Sequence, residues 1–131
     1  MTVVPAYAAL IAVLLVFLAA RVICARGRAR VSLGDGGDAA LARAIRVQGN
    51  CAEYAPLALL LLALAELSGA SNAWLHVLGT VLLAGRLIHA WGVSRENEDL
   101  RYRIAGMSLT FFALIGGALT CLGLTVPSWI N

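Results

Sequence analysis

The sequence predicts an all-α integral membrane protein, a four-helix bundle formed by a single domain over residues 1–131. Composition is the first reason, since 61% of the residues are hydrophobic and only 13% are charged, far from the balance of soluble globular chains. The second is the number of apolar stretches, because a spanning helix needs about 20 apolar residues and the chain has room for about four. Almost no length remains for a soluble catalytic domain.

Span one covers about residues 3–20, a stretch without charged side chains that precedes a cluster of arginines. A secretory signal peptide carries its positive charges before the apolar run, so we expect this stretch to be retained as a helix. The polar, glycine-rich segment after the arginines predicts a loop, and Asp38 is well placed to cap the helix that follows.

Span two covers about residues 39–67, and its first half is too polar to face lipid, because only residues 55–65 lack strongly polar groups. Span three covers about residues 72–93 and carries Arg86 and His89 in its second half. Charged and ionisable residues inside a spanning helix are costly and usually functional, so both residues are candidates for a site.

Span four covers about residues 104–126, carries no charge and is expected to end at Pro127. Aromatic side chains favour the two membrane–water interfaces. On the side of the termini these are Trp74 and Trp129, and on the other side Trp91 and Tyr102.

The arginines predict an orientation in the membrane. All ten basic residues are arginine, and nine of them flank the first and third connections between spans. The positive-inside rule then places these connections in the cytoplasm and both termini on the other side. The net charge of +3 reflects this topology, is compatible with an anionic ligand and gives no reason to expect nucleic acid.

Three cysteines, Cys24, Cys51 and Cys121, are odd in number and lack C-x-x-C spacing. The pattern suggests neither a disulfide framework nor a zinc site, and no metal is expected. We interpret them as small apolar fillers, with a functional role left open for Cys51 because of its polar neighbours.

The segment RVQGNCAEYAP, residues 46–56, brings hydrogen-bonding side chains into span two. At about 100° per residue, one face of the helix collects Arg43, Arg46, Asn50, Glu53 and Tyr54. Gln48 points nearly the opposite way and could reach a neighbouring subunit. Polar groups on two sides of one helix favour an oligomer.

Two interpretations of this polar face remain open. Arginines suit the two carboxylates of a ligand, Glu53 suits an ammonium group, and the amide and hydroxyl side chains suit peptide groups, a combination that matches glutathione. Alternatively, the polar side chains of this face only hold helices together, since polar groups inside a membrane must be paired in any case.

The run RAIRVQGNCAEYAPLALL resembles the second-helix motif of the membrane-associated proteins in eicosanoid and glutathione metabolism, in the branch with leukotriene-C synthase and the microsomal glutathione transferases. ICARGRARVS resembles the end of that family's first helix, and AGRLIHAWG its third-helix pattern. The resemblance covers essentially the whole chain and is nearest to the short bacterial members. It implies a bacterial inner-membrane homotrimer that binds glutathione between subunits near the cytoplasmic face.

The resemblance also implies roles for individual residues. Those expected to contact glutathione from one subunit are Arg46, Asn50, Glu53, Tyr54 and Arg86. Gln48 and Arg26 would reach in from the neighbouring subunit. An arginine at the start of helix four would stabilise the thiolate, and RYRIAG offers Arg103, which we favour, or Arg101. Relatives often place tyrosines where this chain has His89 and Val93, and His89 shares a face with Arg86.

The implied function is a membrane-embedded glutathione transferase or peroxidase, in which glutathione as co-substrate attacks a lipophilic electrophile or hydroperoxide that enters from the membrane lipids. One alternative is a non-catalytic binding or scaffold protein of the same family. Another is a small four-helix multidrug exporter, but such exporters typically carry a glutamate in helix one, and span one has no charge.

Overall fold

The structure is a computed structural model that describes residues 1–97 and 99–126. Its helices are α1 (Val4–Ala29), α2 (Ala39–Leu67), α3 (Asn72–Val93) and α4 (Leu100–Thr125). Each is long and apolar enough to cross a membrane. The predicted all-α class with four spans is therefore confirmed, whereas the expectations for Pro127 and Trp129 fall outside the described residues.

Helix α1 extends beyond the end expected for span one at residue 20 and includes most of the arginine cluster. Arg26 and Arg28 lie in its last turn, where positive side chains interact favourably with the negative end of the helix dipole. The helix stops at Arg30, whose left-handed backbone has a φ of 53°. The apolar run thus marks the part of the helix that lipid can cover, and not the length of the helix.

Acidic caps fix the starts of α2 and α4. The cap predicted at Asp38 is confirmed, since its carboxylate accepts a hydrogen bond of 2.7 Å from the backbone N–H of Leu41. Asp99 caps α4 in the same way, and its carboxylate accepts a hydrogen bond of 2.9 Å from the backbone N–H of Arg101. This second cap explains why α4 begins at Leu100, earlier than the start of span four expected at residue 104.

The four helices run up and down, and consecutive helices are antiparallel. Helices α2 and α3 contact each other in the middle, and α1 and α4 lie on opposite flanks, each in contact with both. Among the described residues, α1 and α4 make no contact with each other. We call the end with the first and third connections the Arg-rich end, and the end with the N-terminus and residues 68–71 the opposite end.

Glycines bring α3 and α4 into backbone contact. A Cβ atom on Gly106 would lie 2.7 Å from the backbone nitrogen of His89, and one on Gly85 would lie 2.9 Å from the carbonyl oxygen of Gly106. A Cβ on Gly92 would lie 2.6 Å from the Cβ of Tyr102. Because lipid tails are as apolar as leucine, close packing of this kind is a main source of attraction between helices in a membrane.

At the opposite end, the last turn of α2 holds the start of α1. The carboxylate of Glu66 accepts hydrogen bonds from the backbone N–H groups of Thr2, Val3 and Val4, the last two at 2.8 and 2.9 Å. The first N–H groups of a helix have no partner within it, so Glu66 supplies a cap from another helix. The contact fixes α1 beside α2.

Tyr7 joins α1 to α3 near the same end. Its ring lies so close to Gly79 that a Cβ there would be 2.5 Å from the ring. Its hydroxyl lies 2.9 Å from Oγ1 of Thr80 and 3.0 Å from Nδ1 of His76. These bonds are made within one protomer, so this polar cluster is satisfied without a ligand.

Candidate ligand-binding site

The predicted polar face of α2 divides into a buried part and an exposed part. Asn50 is buried, whereas the side chains of Arg46 and Glu53 are 59% and 50% exposed. Arg46 Nη1 lies 3.4 Å from Glu53 Oε1, two helical turns away. An open ion pair of this length contributes little to stability, so both groups can take other partners.

Arg86 lies in the middle of the bundle and links α3 to α2 and α4. Arg86 is only 2% exposed, and its Nη1 donates to Asn50 Oδ1 at 2.6 Å. Its Nη2 is 3.5 Å from the carbonyl oxygen of Gly106 and 3.4 Å from the sulfur of Met107. Within the described residues, its Nε is buried without a hydrogen-bond partner. Since a guanidinium stays protonated, a fixed positive charge is held between spanning helices by neutral acceptors.

His89 lies one turn after Arg86, is also buried, and is the point where several charges converge. The guanidinium groups of Arg86, Arg103 and Arg46 all interact electrostatically with it. These three residues come from α3, α4 and α2, so positively charged side chains from three helices lie in the surroundings of this buried imidazole. Such an arrangement raises the local potential and attracts an anion.

The two candidates for the thiolate partner occupy the first turn of α4, and both are exposed. Arg103 belongs to the set of charges that act on His89. For Arg101, the structure shows the cap hydrogen bond from its backbone N–H to Asp99. The choice of Arg103 over Arg101 and its catalytic role both stay predictions.

Two predicted ligand contacts are not brought to the polar face by a single protomer. Arg26 is half-buried near the end of α1 and donates from Nη1 to the carbonyl oxygen of Gly34, at 2.7 Å, in its own connecting loop. Gln48 is half-buried on another side of α2. Both were expected to act from a neighbouring subunit, and that contribution stays a prediction.

Tyr54 and Cys51 lie at the edge of the cluster. The half-buried ring of Tyr54 packs edge to face against Phe111, with 5.6 Å between ring centroids. Arg86 interacts electrostatically with both Tyr54 and Cys51. Cys51 is only 3% exposed and belongs to the apolar core, which agrees with its interpretation as a filler.

Sequence reasoning missed several residues that shape this region. Buried Thr110 donates to the carbonyl oxygen of Gly106 at 2.8 Å, the same oxygen that faces Arg86, and Met107 offers its sulfur. A carbonyl oxygen and a thioether leave no pattern in a sequence. The glycines in AGRL and IAGM were the signal available, because they allow the backbone approach that exposes this carbonyl to Arg86.

The donors in the cluster are arginine, amide and hydroxyl groups, which suit an anionic organic ligand. In the described part of the chain, no three His, Cys, Asp or Glu side chains come together as metal ligands would. The fold and this region together define a small membrane protein with four spans and a cation-rich polar cluster in one half of the bundle.

Comparison with known proteins identifies the family within this class of membrane proteins. The MAPEG family model matches residues 4–123, which include every candidate site residue, and the chain belongs to the MAPEG family. It is similar to the inner membrane protein YecN of Escherichia coli (strain K12), with 43% identity over 109 residues, 83% of this chain and 82% of the E. coli protein. YecN of Escherichia coli O6:H1 gives the same values. The predicted family resemblance is thus confirmed.

Proposed function

We propose that this protein is a membrane-embedded glutathione transferase, also able to reduce lipid hydroperoxides, that works as a homotrimer in a bacterial inner membrane. The observation that carries the proposal is the half-exposed Arg46–Glu53 pair on a spanning helix. Facing lipid, a charged side chain near the middle of a span costs about 2.5–3.5 kcal/mol. A neighbouring subunit and a polar ligand over this face remove that cost.

The groups on α2 match glutathione one by one. Arg46 offers a planar fork to a carboxylate, and Glu53 offers a carboxylate to the ammonium group. Tyr54 can hydrogen-bond to a peptide group through its hydroxyl. Asn50 already accepts from Arg86 through Oδ1, so its amide nitrogen can donate to the ligand. Arg86 then acts mainly by holding Asn50 in place.

The trimer brings in the residues that one protomer leaves apart. With α2 on the central surface, Gln48 would face the ligand bound to the next subunit, and Arg26 would exchange its bond to Gly34 for a ligand carboxylate. Mass measurement in detergent tests this assembly, and a stable monomer or dimer would contradict it.

The chemistry depends on ionisation of the glutathione thiol. A free thiol with a pKa of about 8.5 is only about 3% thiolate at pH 7, and a fixed cation that lowers this pKa by about two units makes it mostly thiolate. Arg103 supplies that cation, and the thiol proton passes to water. The sulfur then bonds to an electrophilic carbon, whose leaving group departs with the electron pair.

With a hydroperoxide, the thiolate attacks the terminal oxygen and the O–O bond breaks. The products are the lipid alcohol, after protonation, and the sulfenic acid of glutathione, which a second glutathione converts to the disulfide and water. Both reactions join a water-soluble thiol to an apolar partner from the bilayer, so a site at the seam between subunits suits them.

The orientation follows the arginines, with the Arg-rich end in the cytoplasm and both termini outside. That orientation gives the site access to cytoplasmic glutathione. A reporter active only in the cytoplasm, fused after Asn131, should therefore be silent. Strong reporter activity would overturn the topology.

The decisive experiment is a pair of measurements on the purified protein in detergent, namely calorimetric binding of glutathione and conjugation to a lipophilic aryl halide. Binding with conjugation supports the proposal. Binding without conjugation supports the non-catalytic alternative, which the departures at His89 and Val93 favour because aromatic packing around the peptide is missing there. Absence of binding contradicts both.

A further inference from the structure

A groove that the polar site does not use runs between α1 and α3. Its middle is apolar and has a volume of about 350 Å³, lined by Leu10, Val13, Leu14, Phe17, Leu83 and Leu87. The same wall continues toward the Arg-rich end into a hollow of about 210 Å³ that reaches Arg21, Trp91 and Ser94. The two hollows share wall residues and form one elongated groove.

The groove exists because α1 and α3 are joined at its two ends and open between them. Near the opposite end, the Tyr7 hydroxyl lies 2.9 Å from Thr80. Near the Arg-rich end, Arg21 Nη1 donates to Ser94 Oγ at 2.7 Å. Between these contacts, Val13 is 69% exposed. Exposed apolar side chains in such a position need a hydrocarbon occupant.

Arginines lie at one end of this apolar surface. Ser94 engages one Nη1 hydrogen of Arg21, and a guanidinium carries five N–H donors, so Arg21 can also bind an anion. Arg28 lies seven residues further along α1, on the same face. Together with Arg21 it lines a second hollow of about 370 Å³, which lies between α1 and the start of α2 and meets the groove at Phe17 and Arg21. The groove thus joins a hydrocarbon surface to a pair of cations.

The length of the groove matches one leaflet of a bilayer. From Leu10 to Arg21 the rise of 1.5 Å per residue gives about 17 Å. Half of the hydrocarbon core, which is about 30 Å thick, is about 15 Å. With Arg21 at the polar boundary, the apolar part therefore reaches about as far as the acyl chain of one lipid.

The groove is separate from the proposed glutathione site. Its apolar part lies between α1 and α3, whereas the half-exposed Arg46–Glu53 pair belongs to α2 and the proposed catalytic Arg103 to α4. If α2 lines the centre of a trimer, the α1–α3 flank faces outward. Its occupant then comes from the surrounding bilayer.

We propose that this groove is a binding site for one anionic phospholipid from the leaflet at the Arg-rich end. The acyl chain lies along the apolar wall, and the phosphate is held by Arg21 and Arg28. Planar guanidinium forks suit phosphate oxygens, and basic pockets between spanning helices are where anionic headgroups bind. The inference does not depend on glutathione turnover.

Lipids with brominated acyl chains test the proposal, because bromine quenches tryptophan fluorescence at contact distance. Trp91 lines the groove, so a Trp74→Phe, Trp129→Phe background makes it the single reporter. In mixed bilayers of equal bromine content, brominated phosphatidylglycerol should quench Trp91 more strongly than brominated phosphatidylcholine does.

Arg21→Gln should weaken the apparent affinity for phosphatidylglycerol about tenfold, the scale of one charge-assisted hydrogen bond. Arg30→Gln is the matched control, because it removes the same charge from the same end without touching the groove, and it should leave the affinity unchanged. Equal quenching by the two lipids in the wild type overturns the proposal, and so do equal losses in the two variants. If Arg21→Gln does not fold, the wild-type lipid comparison still decides.

Discussion

Helix α2 carries two carboxylates, Glu66 and Glu53, whose surroundings are opposite. Glu66 accepts three backbone hydrogen bonds from the start of α1, whereas Glu53 has one open contact of 3.4 Å with Arg46. The same side chain on the same helix is fully engaged inside the protomer in one place and underused in the other. The difference indicates that Glu66 serves the fold and that Glu53 is available to a ligand.

The two ends of the bundle repeat this contrast. At the opposite end the polar side chains meet one another, as in the Tyr7 cluster and in the 2.9 Å bond from Trp74 Nε1 to Thr120. At the Arg-rich end, Arg46, Arg101 and Arg103 are exposed above the buried link between Arg86 and Asn50. Changes at the two ends should therefore affect different measurements.

The largest effect is expected beneath the site, where α3 and α4 touch. Gly106→Ala would place a methyl group 2.7 Å from the backbone of His89, and it should lower the free energy of unfolding by about 3 kcal/mol through overpacking. Unfolding in detergent, followed by circular dichroism, measures this. Gly123→Ala in the same helix is the control, since a Cβ there meets nothing within 4 Å. Equal destabilisation by both would mean that the close approach is not important.

Glu53→Gln should raise the KM for glutathione about 30-fold with a smaller change in kcat, because it removes the charge that faces the ligand's ammonium group. Steady-state kinetics at varied glutathione concentration give both constants. Exposed Glu96, in the third connection, provides a control, and Glu96→Gln should leave KM unchanged. An unchanged KM in Glu53→Gln would remove Glu53 from the binding site.

Arg103→Ala should lower kcat about 25-fold at neutral pH, as the thiolate fraction falls toward the value of a free thiol, with affinity closer to normal. The ultraviolet absorbance of bound thiolate against pH reports the cause, and its midpoint should move to higher pH. Arg101→Ala is the matched control. A shift in Arg101→Ala alone would reverse the assignment, and no shift in either variant would favour the non-catalytic alternative.

The smallest effect on the site is expected for Glu66→Gln, which keeps one acceptor oxygen for the start of α1 but loses the charge and one of the two oxygens that accept from its N–H groups. Stability should fall slightly, and the KM for glutathione should stay at the wild-type value. Glu53→Gln should do the opposite, with a raised KM for glutathione and little change in stability. A KM increase in Glu66→Gln would contradict the separation of the two ends.

The sequence was sufficient for the helices, for the family and for the cap at Asp38, because each rests on a local pattern. Apolar runs of spanning length predict helices wherever they occur, and the motif around Asn50 is dense enough to recognise. The shared face of Arg86 and His89 also followed from helical periodicity, since both are buried on α3.

What could not be predicted depends on which helix faces which. Periodicity showed that Asn50 and Arg86 each lie on a polar face, but not that they bond to each other. The link from Glu66 to the start of α1 joins residues more than sixty positions apart, and nothing local marks it. The choice between Arg101 and Arg103 was ambiguous because both arginines of RYRIAG lie at the start of helix four, where the resemblance implies a single thiolate partner.

The glycine contact between α3 and α4 also has a mechanical consequence. Two helices in backbone contact move together as one stiff unit, whereas α1 is joined to α3 by side-chain bonds at its ends across a groove. Helix α1 is also packed along α2 and capped by Glu66, so it stays with α2, and the weaker seam of the bundle is the one between α1 and α3. Insertion of a bulky apolar molecule from the bilayer would then open the α1–α3 seam before it parts α3 from α4, whose backbones touch at Gly85 and Gly106.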